Sequence, residues 1–135
     1  QDYALIRLDR AVANITPLTL ANNTPAVGDS LFTIGHPSGL PKKISAGATV
    51  LEIKNGFFKT NTDSYGGSSG SPLFNQKNQV VGILVRGEDD YISKPISTDP
   101  SLSCKISRVC QDNNCRGEDA TNISFISQAL KNTNL

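Results

Sequence analysis

The sequence predicts an all-β domain, an antiparallel barrel or sandwich. About six short apolar runs are separated by turn signals, two separators have hairpin chemistry, and helical spacing occurs only near the C-terminus. The first run, "YALIRL" (Tyr3 to Leu8), alternates and is rich in branched residues. "SLFTIG" (Ser30 to Gly35) follows the turn signal Val27-Gly28-Asp29. "ISAGATVLEI" (Ile44 to Ile53) and "FFKTNT" (Phe57 to Thr62) flank Lys54-Asn55-Gly56. The Asn-Gly pair predicts a type I′ hairpin, whose two central residues both need positive φ. "SPLFN" and "QVVGILV" (Gln79 to Val85) flank a second hairpin candidate, Gln76-Lys77-Asn78. From Gly87 to Gly117 the chain is polar and reads as irregular. "NISFISQALKN" (Asn122 to Asn132) then places Ile123, Phe125, Ile126, Ala129 and Leu130 on one side at helical spacing, with Asn122 as the cap.

Length and charge narrow the function. The 135 residues suit one domain, 37% are hydrophobic and 19% charged, and the formal net charge is +1. That balance offers no basic field for nucleic acid, and no apolar run reaches the roughly 20 residues of a membrane span. The opening "QDYALIRLDRAV" lacks the basic and apolar regions of a signal peptide, so the chain reads as an excised or processed piece. Cys104, Cys110 and Cys115 lie within twelve residues. Their spacings are poor for zinc and the one histidine is far away, which favours a disulfide-tied loop in an exported protein, secreted or periplasmic, over a metal site. One cysteine is then free or paired outside this chain. No metal and no cofactor are expected. Asn14, Asn22 and Asn122 begin glycosylation sequons, a common chance pattern.

The chemistry concentrates in "TDSYGGSSGSPLFN" (Thr62 to Asn75), where four serines and four glycines precede an apolar strand. A hydroxyl becomes a useful nucleophile only when a base takes its proton and donors stabilise the resulting oxyanion. Gly67 leaves room for an incoming carbonyl and lets its N–H turn inward. Gly70 lets the chain leave the turn tightly, and Pro72 fixes φ as the next strand begins. The N–H groups of Gly67 and Ser69 would then share one small space. A plain Gly/Ser turn between strands is the simpler reading of composition alone.

The whole motif, Gly67-Ser68-Ser69-Gly70-Ser71-Pro72, resembles the nucleophile signature of trypsin- and chymotrypsin-like serine proteases. It is most similar to the bacterial trypsin-like and glutamyl-endopeptidase branch. The resemblance implies a six-stranded Greek-key barrel, the second barrel of the chymotrypsin-like fold, with a short C-terminal helix. It divides the chain into an interbarrel segment, 1–27, and the barrel, 28–135, with a Cys-containing loop at 87–121 and a helix at 122–132. It implies that Ser69 is the nucleophile and that Gly67 and Ser69 form the oxyanion hole. "DYALIRL" resembles the run whose aspartate orients the catalytic histidine, which makes Asp2 the triad carboxylate. "GHPSGLPKKISAGATV" resembles the segment that opens the second barrel. "VVGILVRGE" resembles the strand lining the cleft, where Leu84, Val85 and Gly87 would meet an extended substrate. Ser68 stands where the animal enzymes carry the aspartate that pairs with a new N-terminus, so that activation switch is not expected.

The resemblance covers nearly the whole chain but only part of the family fold. Its order of His, Asp, Ser places the histidine upstream of Asp2, whereas the one histidine here, His36, lies between Asp2 and Ser69. His36 is therefore expected to be an ordinary loop residue. A missing N-terminal barrel segment is expected to supply the base, leaving this chain inactive alone. Asp63, six residues before Ser69, matches the carboxylate of the trypsin specificity pocket, with Ser64 beside it. That implies cleavage of polypeptides after Arg or Lys. Leu84 stands where the glutamyl branch carries a histidine for substrate glutamate. Arg86 replaces a cleft tryptophan. The other class of function open to such a chain is a binding module that kept the barrel and lost the chemistry.

Overall fold

The computed structural model describes residues 2–111 and 114–133. Six antiparallel strands close a barrel in the order β1-β2-β3-β8-β5-β4, and two more form a separate hairpin, β6-β7. The barrel strands are β1 (Ser30–Gly35), β2 (Lys43–Ile53), β3 (Phe57–Thr60), β4 (Pro72–Asn75), β5 (Val80–Arg86) and β8 (Glu118–Asn122). The hairpin consists of β6 (Tyr91–Ile96) and β7 (Asp99–Ser107), and one helix, α1 (Ile123–Asn132), ends the fold. Among the described residues no helix is long and apolar enough to cross a membrane.

Local chemistry sets the barrel corners. Before β1, the Asp29 carboxylate accepts from the Ala26 N–H at 2.8 Å, the Asp29 N–H donates to the Ala26 carbonyl, and Gly28 between them has φ +89°. Between β2 and β3 only Gly56 enters the left-handed region, at φ +91°. Asn55 does not, so this hairpin is not the expected type I′ turn. Three residues close it, with the Lys54 N–H donating to the Phe57 carbonyl at 2.9 Å. Between β4 and β5, Asn75 Oδ1 accepts from the N–H groups of Lys77 and Gln79, and Asn78 takes φ +57°.

The core is small and mainly aliphatic, with two buried rings, Phe58 and Phe74. Phe58, Leu73, Val50 and Ile123 are almost fully buried, and Leu31, Ala48, Leu84, Ala120 and Ile126 surround them. Phe58 crosses directly over Gly82 of β5, where a Cβ would stand 2.7 Å from the ring and 2.8 Å from the Thr121 carbonyl. Glycine is therefore required there for space. Asn122 caps α1 as expected, accepting from the Ser124 N–H at 3.0 Å, and α1 lays Ile123 and Ile126 onto the barrel.

Two further sequence expectations fail. "YALIRL" is not a strand: Tyr3 and Leu5 pack against the core, but Ile6 and Leu8 are 80% and 60% exposed. Alternation there marks an arm with one face on the barrel, without a ladder partner among the described residues. The stretch 87–121 is not an irregular loop either. It contains the exposed β6-β7 hairpin and supplies the sixth barrel strand, β8, between β3 and β5. Strand β8 buries Asp119, Thr121 and Asn122, so it lacks the apolar pattern of a core strand.

Candidate active site

The serine segment leaves β3, makes two consecutive turns and enters β4. The Ser68 N–H donates to the Tyr65 carbonyl and the Ser71 N–H to the Ser68 carbonyl, each at 3.0 Å. Gly67 and Gly70 take φ +97° and +87°, conformations other residues adopt only with strain. Gly67 also has no spare room, because a Cβ would lie 3.3 Å from the His36 carbonyl oxygen. Neighbouring elements fix the segment. The Ser38 N–H holds the Gly66 carbonyl at 2.7 Å, and the Gly70 N–H and Ser71 carbonyl both bond Leu84 of β5.

This geometry sorts the serines. Ser68 is buried, whereas Ser69 is exposed at the tip, its hydroxyl donating to the Val85 carbonyl at 3.0 Å. Among the described residues, no hydrogen bond engages the N–H of Gly67 or Ser69. Asp2 is pinned through its backbone: Thr121 Oγ1 donates to its carbonyl at 2.8 Å and accepts from its N–H at 3.4 Å. Asp2 lines a recess of about 40 Å³ together with Val85 and Arg86. Thus Ser69 bonds the backbone near the end of β5, and Asp2 lines a recess at that same end. His36 does not join them. It is exposed, and its Nδ1 donates to the Leu40 carbonyl at 3.1 Å.

Beside Ser69 lies a recess of about 60 Å³ whose lining includes Ser64, Leu84, Gly87, Asp90 and Glu118. Leu84 is 2% exposed and forms part of its apolar wall. Ser64 opens onto this recess and onto a larger one of about 320 Å³. Asp63 lines the larger recess and a third of about 230 Å³, but not the one touching Ser69. Gly87 presents its carbonyl to Arg116 Nη1 at 3.0 Å.

Three acidic residues in or next to this wall, Asp90, Glu118 and Asp119, are not among the residues expected from the sequence. Asp90 accepts from the Gly66 N–H at 2.6 Å, next to Gly67. Asp119, almost fully buried, takes Arg86 Nε at 2.9 Å and Arg116 Nη2 at 2.6 Å on one oxygen, leaving Oδ1 without a partner among the described residues. Glu118 projects against Gly87, where a Cβ would collide with its carboxylate. Burial, and then the nearby Asp90 charge, push Glu118 up to about 7. The acidic runs "GEDDY" and "RGED" are the sequence traces of this cluster. The expected disulfide joins Cys110 to Cys115 at the rim of the larger recess, and Cys104 is free and exposed.

A closed six-stranded barrel presenting a serine on a glycine-flanked turn defines a protein of the chymotrypsin-like class. Residues 1–83 match the trypsin-like peptidase domain, and the chain belongs to that family. A glutamyl endopeptidase of Staphylococcus epidermidis is 32% identical over 104 residues, which is 70% of this chain and 37% of that protein. A probable periplasmic serine endoprotease DegP-like of Chlamydia muridarum is 30% identical over 116 residues, 77% of this chain and 23% of that protein. The chain therefore spans well under half the length of these relatives. The active-form Rv3671c protease of M. tuberculosis superposes with TM-score 0.61 at 14% identity, covering 87% of this chain and 48% of that one.

Proposed function

We propose that this chain supplies the nucleophile, the oxyanion hole and the substrate recess of an exported serine endopeptidase. The observation that carries the reading is Ser69, exposed between two left-handed glycines with unengaged amides beside it. The Ser69 hydroxyl leaves the Val85 carbonyl and attacks the scissile carbonyl of a polypeptide. The N–H groups of Gly67 and Ser69 hold the oxyanion that forms. The tetrahedral intermediate collapses to an acyl-enzyme, the amine leaves with a proton, and water then releases the acid product. The released Val85 carbonyl and the Gly87 backbone pair with the extended substrate.

The proton goes to a histidine oriented by Asp2. His36 faces its own loop, so this base comes from a partner segment outside the sequence, the counterpart of the family's first barrel. Export is supported by the Cys110–Cys115 disulfide and by the periplasmic name of one relative. For the residue before the cleaved bond, the recess walls favour lysine or arginine. Asp63, Glu88, Asp90 and Glu118 would repel the glutamate that the name of the staphylococcal relative points to. A second reading, a binding module without catalysis, is favoured by the position of His36 alone.

The test is digestion of a mixed peptide set by the full-length protein, with products read by mass spectrometry. The reading expects cleavage that Ser69→Ala abolishes and that the 135-residue chain alone does not perform. Cleavage that survives Ser69→Ala, or none by any form, sinks it in favour of the binding module.

A further inference from the structure

Resting on that reading, we propose that Glu118, not Asp63, is the carboxylate that grips the substrate side chain, and that it selects a cationic one. The recess containing Ser69 and the larger recess share Ser64, Tyr65, Glu88, Asp90 and Glu118 in their walls, so they are neighbours. Glu118 lines both. Its carboxylate fills the space a side chain at Gly87 would need, directly beside the strand that meets the substrate backbone. Asp63 lines the larger recess and not the one containing Ser69.

The charges around Glu118 leave it for an outside partner. Arg108 from the end of the β6-β7 hairpin pairs with Glu88 at 3.4 Å, and Arg86 and Arg116 both pair with Asp119. Asp90 is engaged by the Gly66 amide. Glu118 makes no salt bridge among the described residues. The groups facing it are Asp90 and Glu88 from the hairpin base, Asp119 from β8, Arg116 beside the disulfide, and Ser64 and Tyr65 from the serine segment. Burial and then Asp90 disfavour its charge most, the Ser64 hydroxyl and Arg116 favour it by less, and Asp119 adds the smallest repulsion. An ammonium or guanidinium entering past Ser69 replaces that repulsion with attraction and drives the proton off Glu118. Cation binding is therefore linked to proton release, and affinity rises with pH through about 7.

The test uses p-aminobenzamidine, a fluorescent arylamidinium, titrated into the full chain and its variants between about pH 5.5 and about pH 8.5, which brackets the Glu118 transition. The wild type is expected to bind about tenfold or more tightly at the upper pH, the size of one charge-assisted hydrogen bond. Glu118→Gln is expected to lose both the affinity and its pH dependence, while Asp63→Asn keeps the pH dependence and loses far less affinity. A flat pH response, no binding at the upper pH, or loss on Asp63→Asn with retention in Glu118→Gln overturns the assignment. The wild-type titration decides the matter even where Glu118→Gln fails to fold. Peptide digestion by the full-length protein separates the two readings. Amidine binding as expected with no peptidase activity in the full-length protein defeats the catalytic proposal alone. Peptidase activity with a preference for glutamate defeats the Glu118 proposal alone.

Discussion

Replacing Asp119 by alanine removes the carboxylate that joins β8 to the end of β5 and to Arg116. Asp119 is 2% exposed and receives both arginines on one oxygen. Removing one member of a buried charge pair costs about 3–5 kcal/mol, because the remaining charge is stranded. Here the arginine side chains are 57% and 39% exposed, so water re-solvates them. Losing the unpartnered Oδ1 offsets part of what remains. The expected loss is about 2 kcal/mol, or roughly 6–10 °C in Tm for a domain of this size. Thermal unfolding followed by circular dichroism, with urea titration for the free energy, measures it. Asp119→Asn keeps an acceptor for one arginine and is expected to lose about half as much. If Asp119→Ala unfolds within about 0.5 kcal/mol of wild type, the cluster does not hold the barrel closed and the reasoning fails.

Three further outcomes follow from the same geometry. Gly82→Ala puts a methyl 2.7 Å from the Phe58 ring, and urea unfolding should show a loss of about 2–3 kcal/mol. Gly67→Ala, with φ +97° and the His36 carbonyl 3.3 Å away, should leave the barrel folded by circular dichroism but abolish peptide cleavage by the full-length protein. Glu118 binds its proton more tightly folded than unfolded, so its contribution to stability falls as pH rises from about 4.5 to about 7 and is flat outside that window. Glu118→Gln should therefore raise Tm above the window and leave it unchanged below.

How much of this was legible in the sequence depended on where each residue finds its partner. Strands β1 to β5 were visible because Leu31, Val50, Phe58, Leu73 and Leu84 alternate with exposed neighbours or sit in short apolar runs between turn residues. The cap at Asn122 and the buried Ile123 and Ile126 were visible for the same local reason. Strand β8 was hidden because its buried side chains are polar and satisfied from far away, as Asp119 is by Arg86, 33 residues distant. The β6-β7 hairpin is exposed along its whole length, so no burial pattern marks it. The exposed turn carrying Ser69 was legible because its left-handed positions need glycines, here Gly67 and Gly70, close by in the chain. Asp90, Arg116 and Glu118 were not, because they meet Gly66 and Gly87 only through the barrel's closure.

Reaction of the full-length protein with a fluorophosphonate, with the modified residue mapped by mass spectrometry, tests the central claim most directly. The account predicts one phosphonylated serine, Ser69, with no labelling in Ser69→Ala. An unlabelled Ser69 in the folded protein, or labelling that Ser69→Ala does not remove, contradicts it.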